Sequence, residues 1–580
     1  MNPGRPGLDA NGAAESRRAG APLVEVRSLT VTLPRSGDVV SGADLEVAPG
    51  ECLAIVGESG AGKSVLARAL LGLVQDDPAA QVQADRFSVA GQDLLRVGRG
   101  ARRRMRGRDV ALVLQDALQS LDPLRTIEAE VGEALAVRGT PRRVRRERVI
   151  DALTDAGLPE AESLLRRRSG ELSGGMRQRA LIASAVIGDA PLLIADEPTT
   201  ALDATTAVHV LDLLGRMRDA GTALVLISHD LHAVSRIADR VAVMEAGRIV
   251  EHAPLSRLLA APEHPTTRTL LAAVPSGPKP VRHGAAAPSG ITPSEPAAPS
   301  GTAPAEPSIP SGAVAPGSGS AVAPISSGPA SLPVRCAPFD QNHVNGGASG
   351  RQVRISAAGA SRRYGRLWAV RGADLEVTAG EVLGVVGESG SGKSTLARLL
   401  IGAERPDEGE ILMDDPAPRI RLVPQDPLAS FDPRHTVAKI LRLSRRDAAP
   451  DEAELLARVG LDASLLTRRP ATLSGGQRQR VAIARALAGR PDILICDEPV
   501  SALDVTTQAG ILDLLERLQR EEGLGMVFIS HDLAVVRLVS DRVAVMRDGR
   551  IVEQGPTEAV YAAPEHPFTA ELIAAGPVMR

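Results

Sequence analysis

Two octapeptides, GESGAGKS at 57–64 and GESGSGKS at 387–394, each end a glycine-rich run with a lysine and a hydroxyl. Both read G-x-x-x-x-G-K-S. Gly57, Gly60 and Gly62, with Glu58, Ser59 and Ala61 between them, permit a loop whose backbone N–H groups turn inward. Such a loop at a helix N-terminus cradles phosphate oxygens, and the helix dipole assists. Lys63 is then placed to reach the outer phosphates and Ser64 to ligate Mg²⁺. The second copy offers Gly387, Glu388, Ser389, Gly390, Ser391, Gly392, Lys393, Ser394 and Thr395. A chance Gly/Ser turn is the plainer alternative, and composition argues against it. Of 67 basic residues only four are lysine (Lys63, Lys279, Lys393 and Lys439), and two of these sit at the same point of the two loops.

Downstream of each loop lies an apolar run ending in two carboxylates, LLIADE at 192–197 and ILICDE at 493–498. In nucleotide hydrolysis the first acid of such a pair, Asp196 or Asp497, helps hold Mg²⁺. The second, Glu197 or Glu498, can polarise an attacking water. His229 and His531 follow in ISHD. A lone histidine is usually structural, but two at equivalent places after apolar runs favour contact with a terminal phosphate. LSGGMRQR (172–179) and LSGGQRQR (473–480) are the most specific signals. In each, a small Ser-Gly-Gly opens a helix and offers a second anion-binding end: Ser173, Gly174 and Gly175, and Ser474, Gly475 and Gly476.

These residues need strands that end in loops. CLAIV (52–56) and VLGVV (382–386) read as buried strands feeding the glycine loops. Apolar β-branched runs alternate with helical periodicity, which predicts an α/β architecture with a mainly parallel sheet. The text also repeats itself: SGADLEVAPGE returns as RGADLEVTAGE, and the segments around LSGG, ISHD and APEHP recur, as in a duplicated domain. Residues 275–350 are rich in Pro, Ala, Gly and Ser and poor in charge, so a disordered linker is expected. Its roughly 76 residues span about 45–50 Å as a flexible coil. The expected layout is a disordered N-terminus 1–21, a first domain 22–274, the linker 275–350 and a second domain 351–580.

The chain of 580 residues has a net charge of −3, so nothing overall calls for a polyanionic partner. The basic clusters ARRRMRGR (101–108) and PRRVRRER (141–148) lack interleaved aromatics and read as solvated helix faces rather than a nucleic-acid surface. Cys52, Cys336 and Cys496 have no metal-ligand spacing, and two lie in strand-like runs, as buried thiols in a reducing compartment would. No run of about 18 apolar residues and no secretory signal is present.

Together these motifs resemble a tandem ABC-transporter ATPase. The resemblance implies two P-loop NTPase domains, each with a mainly parallel core sheet, an antiparallel β-subdomain and a helical subdomain. It assigns Gln115 and Gln425 to the Q-loops, as nucleotide and Mg²⁺ contacts, and Asp203 and Asp504 to the D-loops in ALD. In that family the domains stack head to tail, with each ATP between one P-loop and the other domain's signature, so neither domain alone completes a site. LQDALQSLDPLRTI and PQDPLASFDPRHTV, with PEHPTTRTLLAA and PEHPFTAELIAA, are similar to peptide and nickel importer ATPases; Met176 and Gln477 in the two signatures match its two distinct subunits, here fused. The chain departs from the pattern at Thr266-Thr267, where the aromatic is missing. It also lacks the cysteine cluster that some members carry, and its second domain is shorter between P-loop and Q-loop.

The resemblance implies ATP and Mg²⁺ as cofactors, two transmembrane permease subunits and an extracytoplasmic solute-binding protein as partners, and a place on the cytoplasmic face of the membrane. Peptide is the first expected cargo, then nickel or glutathione. The alternative is a soluble tandem ABC ATPase acting on ribosomes or nucleic acid; the uncharged, Pro-rich linker argues against it. Such ATPases stack adenine on an aromatic residue before the first strand pair. Tyr364 is the candidate in the second domain, with Trp368 as substitute. In the first, Leu33 or a neighbour stands there, because Phe87 is the sole aromatic of residues 1–274.

Overall fold

The structure is a computed structural model describing residues 21–34, 36–114, 121–199, 202, 204–275, 277–279, 354–446, 449–501 and 503–575. Gln115, Asp203, Cys336 and nearly all of the expected linker lie outside the described residues.

Two α/β units follow one another. In the first, six strands run in the order Arg248–Pro254, Arg240–Glu245, Cys52–Gly57, Ala223–Ile227, Leu192–Asp196 and Val110–Val113. All neighbours are parallel except Arg248–Pro254, which returns antiparallel as a hairpin. The second unit repeats this order with Arg550–Pro556, Arg542–Arg547, Val382–Gly387, Gly525–Ile529, Ile493–Asp497 and Ile420–Val423. The central strands lack alternation because both faces are covered, as parallel sheets require. Every residue of Cys52–Gly57 and of Val382–Gly387 is buried. Each fully buried Val, Leu or Ile contributes roughly 1.5–3 kcal/mol, so these strands anchor the loops that leave their ends. Cys52 and Cys496 are buried free thiols in these sheets.

An antiparallel sheet packs beside each core sheet. The first unit builds it from five strands, with Val24–Leu33 paired to Gly37–Val47, Gln81–Gln83 and Arg86–Val89, and Gln92–Asp93 at the edge. The second has three: Leu367–Thr378, Arg354–Tyr364 and Glu408–Met413. The shorter chain between P-loop and Q-loop in the second unit accounts for the missing strands. Helices form the third part, ending in Gly174–Val186 and Gly475–Leu487.

The basic cluster at 101–108 is only partly the expected solvated face: Arg103, Arg104 and Arg108 are exposed, but Arg102 and Arg106 turn inward. Arg102 is buried on helix Arg99–Met105, and its Nε donates to Asp76 at 3.0 Å; Arg106 donates to the other Asp76 oxygen at 2.9 Å. Asp76 sits just past the P-loop helix, so the two arginines brace that helix against the β-subdomain, and hydrogen bonds to several carbonyls hold them there. Arg142, Arg143 and Arg146 in the second cluster are exposed, as expected.

The units touch reciprocally. Helix Ala204–Asp219 meets the C-terminal helix Pro567–Ala575, and helix Pro265–Ala272 meets Val505–Glu522.

Candidate active site

The glycine loops leave strands Cys52–Gly57 and Val382–Gly387 and enter helices Lys63–Leu70 and Lys393–Leu400. The last glycine of each loop is required twice over. Gly62 and Gly392 are left-handed, at φ 99° and 102°, and a Cβ would lie 2.5 Å from the Val39 carbonyl oxygen or 2.0 Å from that of Ala369. Only glycine tolerates both demands. The lysines lie across their loops: Lys63 Nζ donates to the carbonyls of Gly57 (2.7 Å) and Glu58 (2.8 Å), and Lys393 Nζ to those of Gly387 (2.8 Å) and Glu388 (2.7 Å). Burial pulls Lys63 below the ordinary lysine value, while Glu197 and Asp504 oppose it.

Parallel pairing brings the carboxylates beside the loops. Asp196 aligns with Ile227 and Asp497 with Ile529, so the acids end the strands next to those that carry the histidine turns. Ser394 Oγ donates to Asp497 Oδ1 at 3.1 Å, and the Ser64 hydroxyl likewise donates to Asp196. Asp196 Oδ1 is buried without a hydrogen-bond partner. Burial raises both aspartates above the ordinary range, and the adjacent glutamate adds to it. A carboxylate oxygen left unpartnered beside a serine hydroxyl is a hard oxygen donor set that fits Mg²⁺.

Glu197 and Glu498 follow in left-handed conformation, at φ 50° and 47°. That region is uncommon for residues with a side chain, and it turns each glutamate out of its strand toward the histidine. His229 Nδ1 lies 3.1 Å from Glu197 Oε1, and His531 Nδ1 lies 3.5 Å from Glu498 Oε2. Burial opposes the charged imidazoles, but the paired carboxylates outweigh it and raise both histidines. Burial likewise opposes ionisation of Glu498, yet His531 draws it below the ordinary range. Gln425 Nε2 donates to the same Glu498 oxygen at 2.8 Å. Residue typing alone missed that contact. A cavity of about 500 Å³ opens beside His229, Gln425, Glu498 and His531.

The signature serines cap their helices. Ser474 Oγ accepts from Gln477 N, and Gln477 Oε1 accepts from Ser474 N, closing a capping box. Ser173 Oγ likewise accepts from Met176 N, at 3.4 Å, but the box stays open because methionine has no side-chain oxygen to accept from Ser173 N–H.

Groups from the second unit reach the first loop. Burial opposes ionisation of Asp504, but hydrogen bonds from Thr507 N–H, the Thr506 and Thr507 hydroxyls, and Ser59 of the first loop hold it below the ordinary range. Thr506 Oγ1 also donates to Glu58 Oε1 at 3.2 Å. Nothing in the sequence pattern marked Thr506, which lies two residues after Asp504 in the first turn of helix Val505–Glu522.

Tyr364 ends strand Arg354–Tyr364 and pairs with Leu367 across the hairpin tip. It is 42% exposed, its hydroxyl donates to Glu404, and the Arg362 guanidinium lies 5.3 Å from its ring centre. Leu33, paired with Gly37, holds that place in the first unit.

Residues 40–200 and 370–501 match the ABC transporter family, and 250–303 and 552–580 match the C-terminal region of oligopeptide/dipeptide transporters. The chain belongs to the ABC-transporter ATP-binding proteins. These are ATP-binding proteins whose ATP hydrolysis is coupled to transport. The chain is similar to the glutathione import ATP-binding protein GsiA of Pectobacterium atrosepticum (38% identical, covering 96% of this chain and 90% of that one). It is similar to the peptidoglycan transport ATP-binding protein YejF of Agrobacterium fabrum, at 37% over 96% of each. The oligopeptide transport ATP-binding protein OppD of Mycobacterium tuberculosis is 38% identical over 96% of this chain and 98% of its own. Among solved structures, an archaeal ribosome recycling factor, aABCE1, bound to the stalk protein aP1 superposes with a TM-score of 0.59 at 20% identity, covering 92% of this chain and 90% of that one. That likeness shows the tandem ABC fold alone. Among the described residues, no helix is long and apolar enough to cross a membrane.

Proposed function

We propose that this ABC ATPase energises an importer of peptides or a related small solute, by head-to-tail closure of its two domains. The observation that carries the closure is Asp504 of the second domain beside Ser59 and Lys63 of the first. A site that draws groups from both domains can form only when they meet. The peptide class is supported by the C-terminal match in both halves and by what the relatives' names say they carry.

In this reading the backbone N–H groups of each loop and the helix N-terminus hold the phosphates, and Lys63 or Lys393 leaves its loop carbonyls to reach the outer ones. Ser64, Asp196 and Gln115 would hold Mg²⁺ in one site, and Ser394, Asp497 and Gln425 in the other. When bound, Mg²⁺ offsets charge on the phosphate oxygens. Glu197 and Glu498 orient the attacking water, and His229 and His531 fix those carboxylates while facing the terminal phosphate. Ser474, Gly475 and Gly476 complete the Lys63 site; Ser173, Gly174 and Gly175 complete the Lys393 site. From the cytoplasmic face of the membrane this motion would drive two transmembrane permease subunits, with an extracytoplasmic solute-binding protein delivering the cargo.

Uptake of labelled oligopeptides and glutathione in a deletion strain tests this. Uptake should fall, and return with the intact chain but not with Glu197→Gln plus Glu498→Gln. Unchanged uptake of every peptide tried, with the protein sedimenting on ribosomes, would overturn the reading.

A further inference from the structure

Asp239 and Asp541 occupy the same corner of the two domains, at the start of the strand beside the P-loop strand. Asp239 accepts from Cys52 N at 2.8 Å and Asp541 from Val382 N at 2.9 Å. In return, their own N–H groups donate to the Cys52 and Val382 carbonyls, each at 2.9 Å. Here the likeness stops. The first domain gives its aspartate an internal cation: Arg218 approaches Asp239 to 3.8 Å while donating to the Ile237 carbonyl. In the repeat, Gln519 stands where Arg218 does and donates to the Gly380 carbonyl. The corner has lost its guanidinium, yet its carboxylate remains. The replacement cation comes from the other domain. Lys279, five residues beyond the last buried residue of the first domain's C-terminal helix region, Val274, places Nζ 2.8 Å from Asp541 Oδ1. Its side chain is only 14% exposed.

We propose that Asp541 is a docking site on the second domain for the segment that carries Lys279, and that this ion pair is a hinge pin between the domains. The position supports a hinge. Val382–Gly387 has six residues, so the pinned corner lies about 17–20 Å along the strand from the loop that holds phosphate. A fastening at that end leaves the nucleotide ends free to part and close, as hinged domains do. The pin is specific to this fused arrangement, since it needs the chain that leaves one domain to reach the other. It does not depend on which solute is carried.

The lysine content supplies the test. Lys63, Lys279, Lys393 and Lys439 are the only side-chain amines, so an amine-reactive reagent followed by mass spectrometry reads all four in the full-length protein. Lys439 is exposed and serves as the fast reference; Lys393 is buried and reports that the second domain is folded. Lys279 should label several-fold more slowly than Lys439, with and without Mg-ATP, and faster as salt is raised, since part-exposed pairs are screened. Asp541→Asn keeps an acceptor for Val382 N–H and removes the charge; it should speed Lys279 by about fivefold while Lys393 stays slow. Labelling of Lys279 at the Lys439 rate in the unaltered protein overturns the docking without recourse to any variant. So does an unchanged Lys279 rate in Asp541→Asn. Release of Lys279 on adding Mg-ATP would overturn the hinge.

Discussion

Gln425 Nε2 donates to Glu498 Oε2 at 2.8 Å, and His531 approaches the same oxygen to 3.5 Å. One carboxylate oxygen is thus fixed by two donors from two different loops, leaving the other directed by default. Glu498 itself stands in a left-handed backbone conformation. A side chain so constrained is preorganised to aim a water rather than to search for one.

Removing both glutamate charges should stop turnover while sparing binding. In Glu197→Gln plus Glu498→Gln the loops and lysines that hold phosphate are untouched. Hydrolysis should fall by about 100-fold or more, with Mg-ATP affinity nearly unchanged. Phosphate release and nucleotide titration measure the two separately, and normal turnover would refute the role given to the acids.

Gln425→Ala should act on rate. With one of its two donors gone, Glu498 keeps only His531, and a displaced carboxylate costs on the order of tenfold in turnover at the Lys393 site. Single-turnover hydrolysis in a Lys63→Ala background isolates that site. An unchanged single-turnover rate with only Mg-ATP affinity weakened would show that Gln425 acts through its Mg²⁺ and nucleotide contact alone and does not position Glu498.

The histidine–glutamate pairs also make stability depend on pH. His531 is raised by Glu498, so its contribution is complete below the unfolded histidine value of about 6.5 and is lost as pH rises through the higher folded value. Glu498 is lowered, so its contribution is present above the unfolded glutamate value and is lost as pH falls through the folded one. Denaturant midpoints should therefore decline on going from pH 6.5 toward 8 in the unaltered protein and less so in His531→Gln. Parallel profiles for the two proteins would show the pair to be energetically silent.

The fold and the placement of most candidate site residues were legible because they are local. Gly62 and Lys63 need only their own loop, and Asp196 and Glu197 need only the end of one apolar strand. What was not legible depends on distance in space. Asp76 gathers Arg102 from helix Arg99–Met105 and Arg106 from the residue that follows it, within a cluster read from composition as solvated. Thr506 meets Glu58, and Lys279 meets Asp541, across two domains. No periodicity announces such contacts, since each residue is ordinary within its own segment. The Gln425–Glu498 contact joins loops from two adjacent strands, which only the sheet order brings together.

If the sites are shared between domains, damage should cross over. Gly475 leaves room for a small side chain, since a Cβ meets nothing closer than Leu503 Cδ2 at 3.4 Å. Gly475→Asp should therefore fold, yet place a negative charge where the head-to-tail reading puts the phosphates of the Lys63 site. Vanadate-dependent photocleavage should then be lost at the first P-loop and kept at the second. Loss confined to Lys393 would refute the arrangement.

The two sites should also differ in their grip on ATP. Tyr364 stands at a hairpin tip, its hydroxyl held by Glu404 and Arg362 beside its ring. The matching place in the first domain holds Leu33, and Phe87, the sole aromatic of residues 1–274, is buried in the β-subdomain. Stacking a base on an aromatic ring contributes about 1–3 kcal/mol, of which an aliphatic contact recovers part. The Lys63 site should bind ATP several-fold more weakly than the Lys393 site, and still fill at millimolar concentrations because phosphate contacts carry most of the affinity. Nucleotide titration of Lys63→Ala and Lys393→Ala, each leaving one loop intact, measures the difference. Tyr364→Leu should then remove it by weakening the Lys393 site alone. Equal affinities before that change, or tighter binding at Lys63, would show that the ring does not stack on adenine or that the partner domain supplies another.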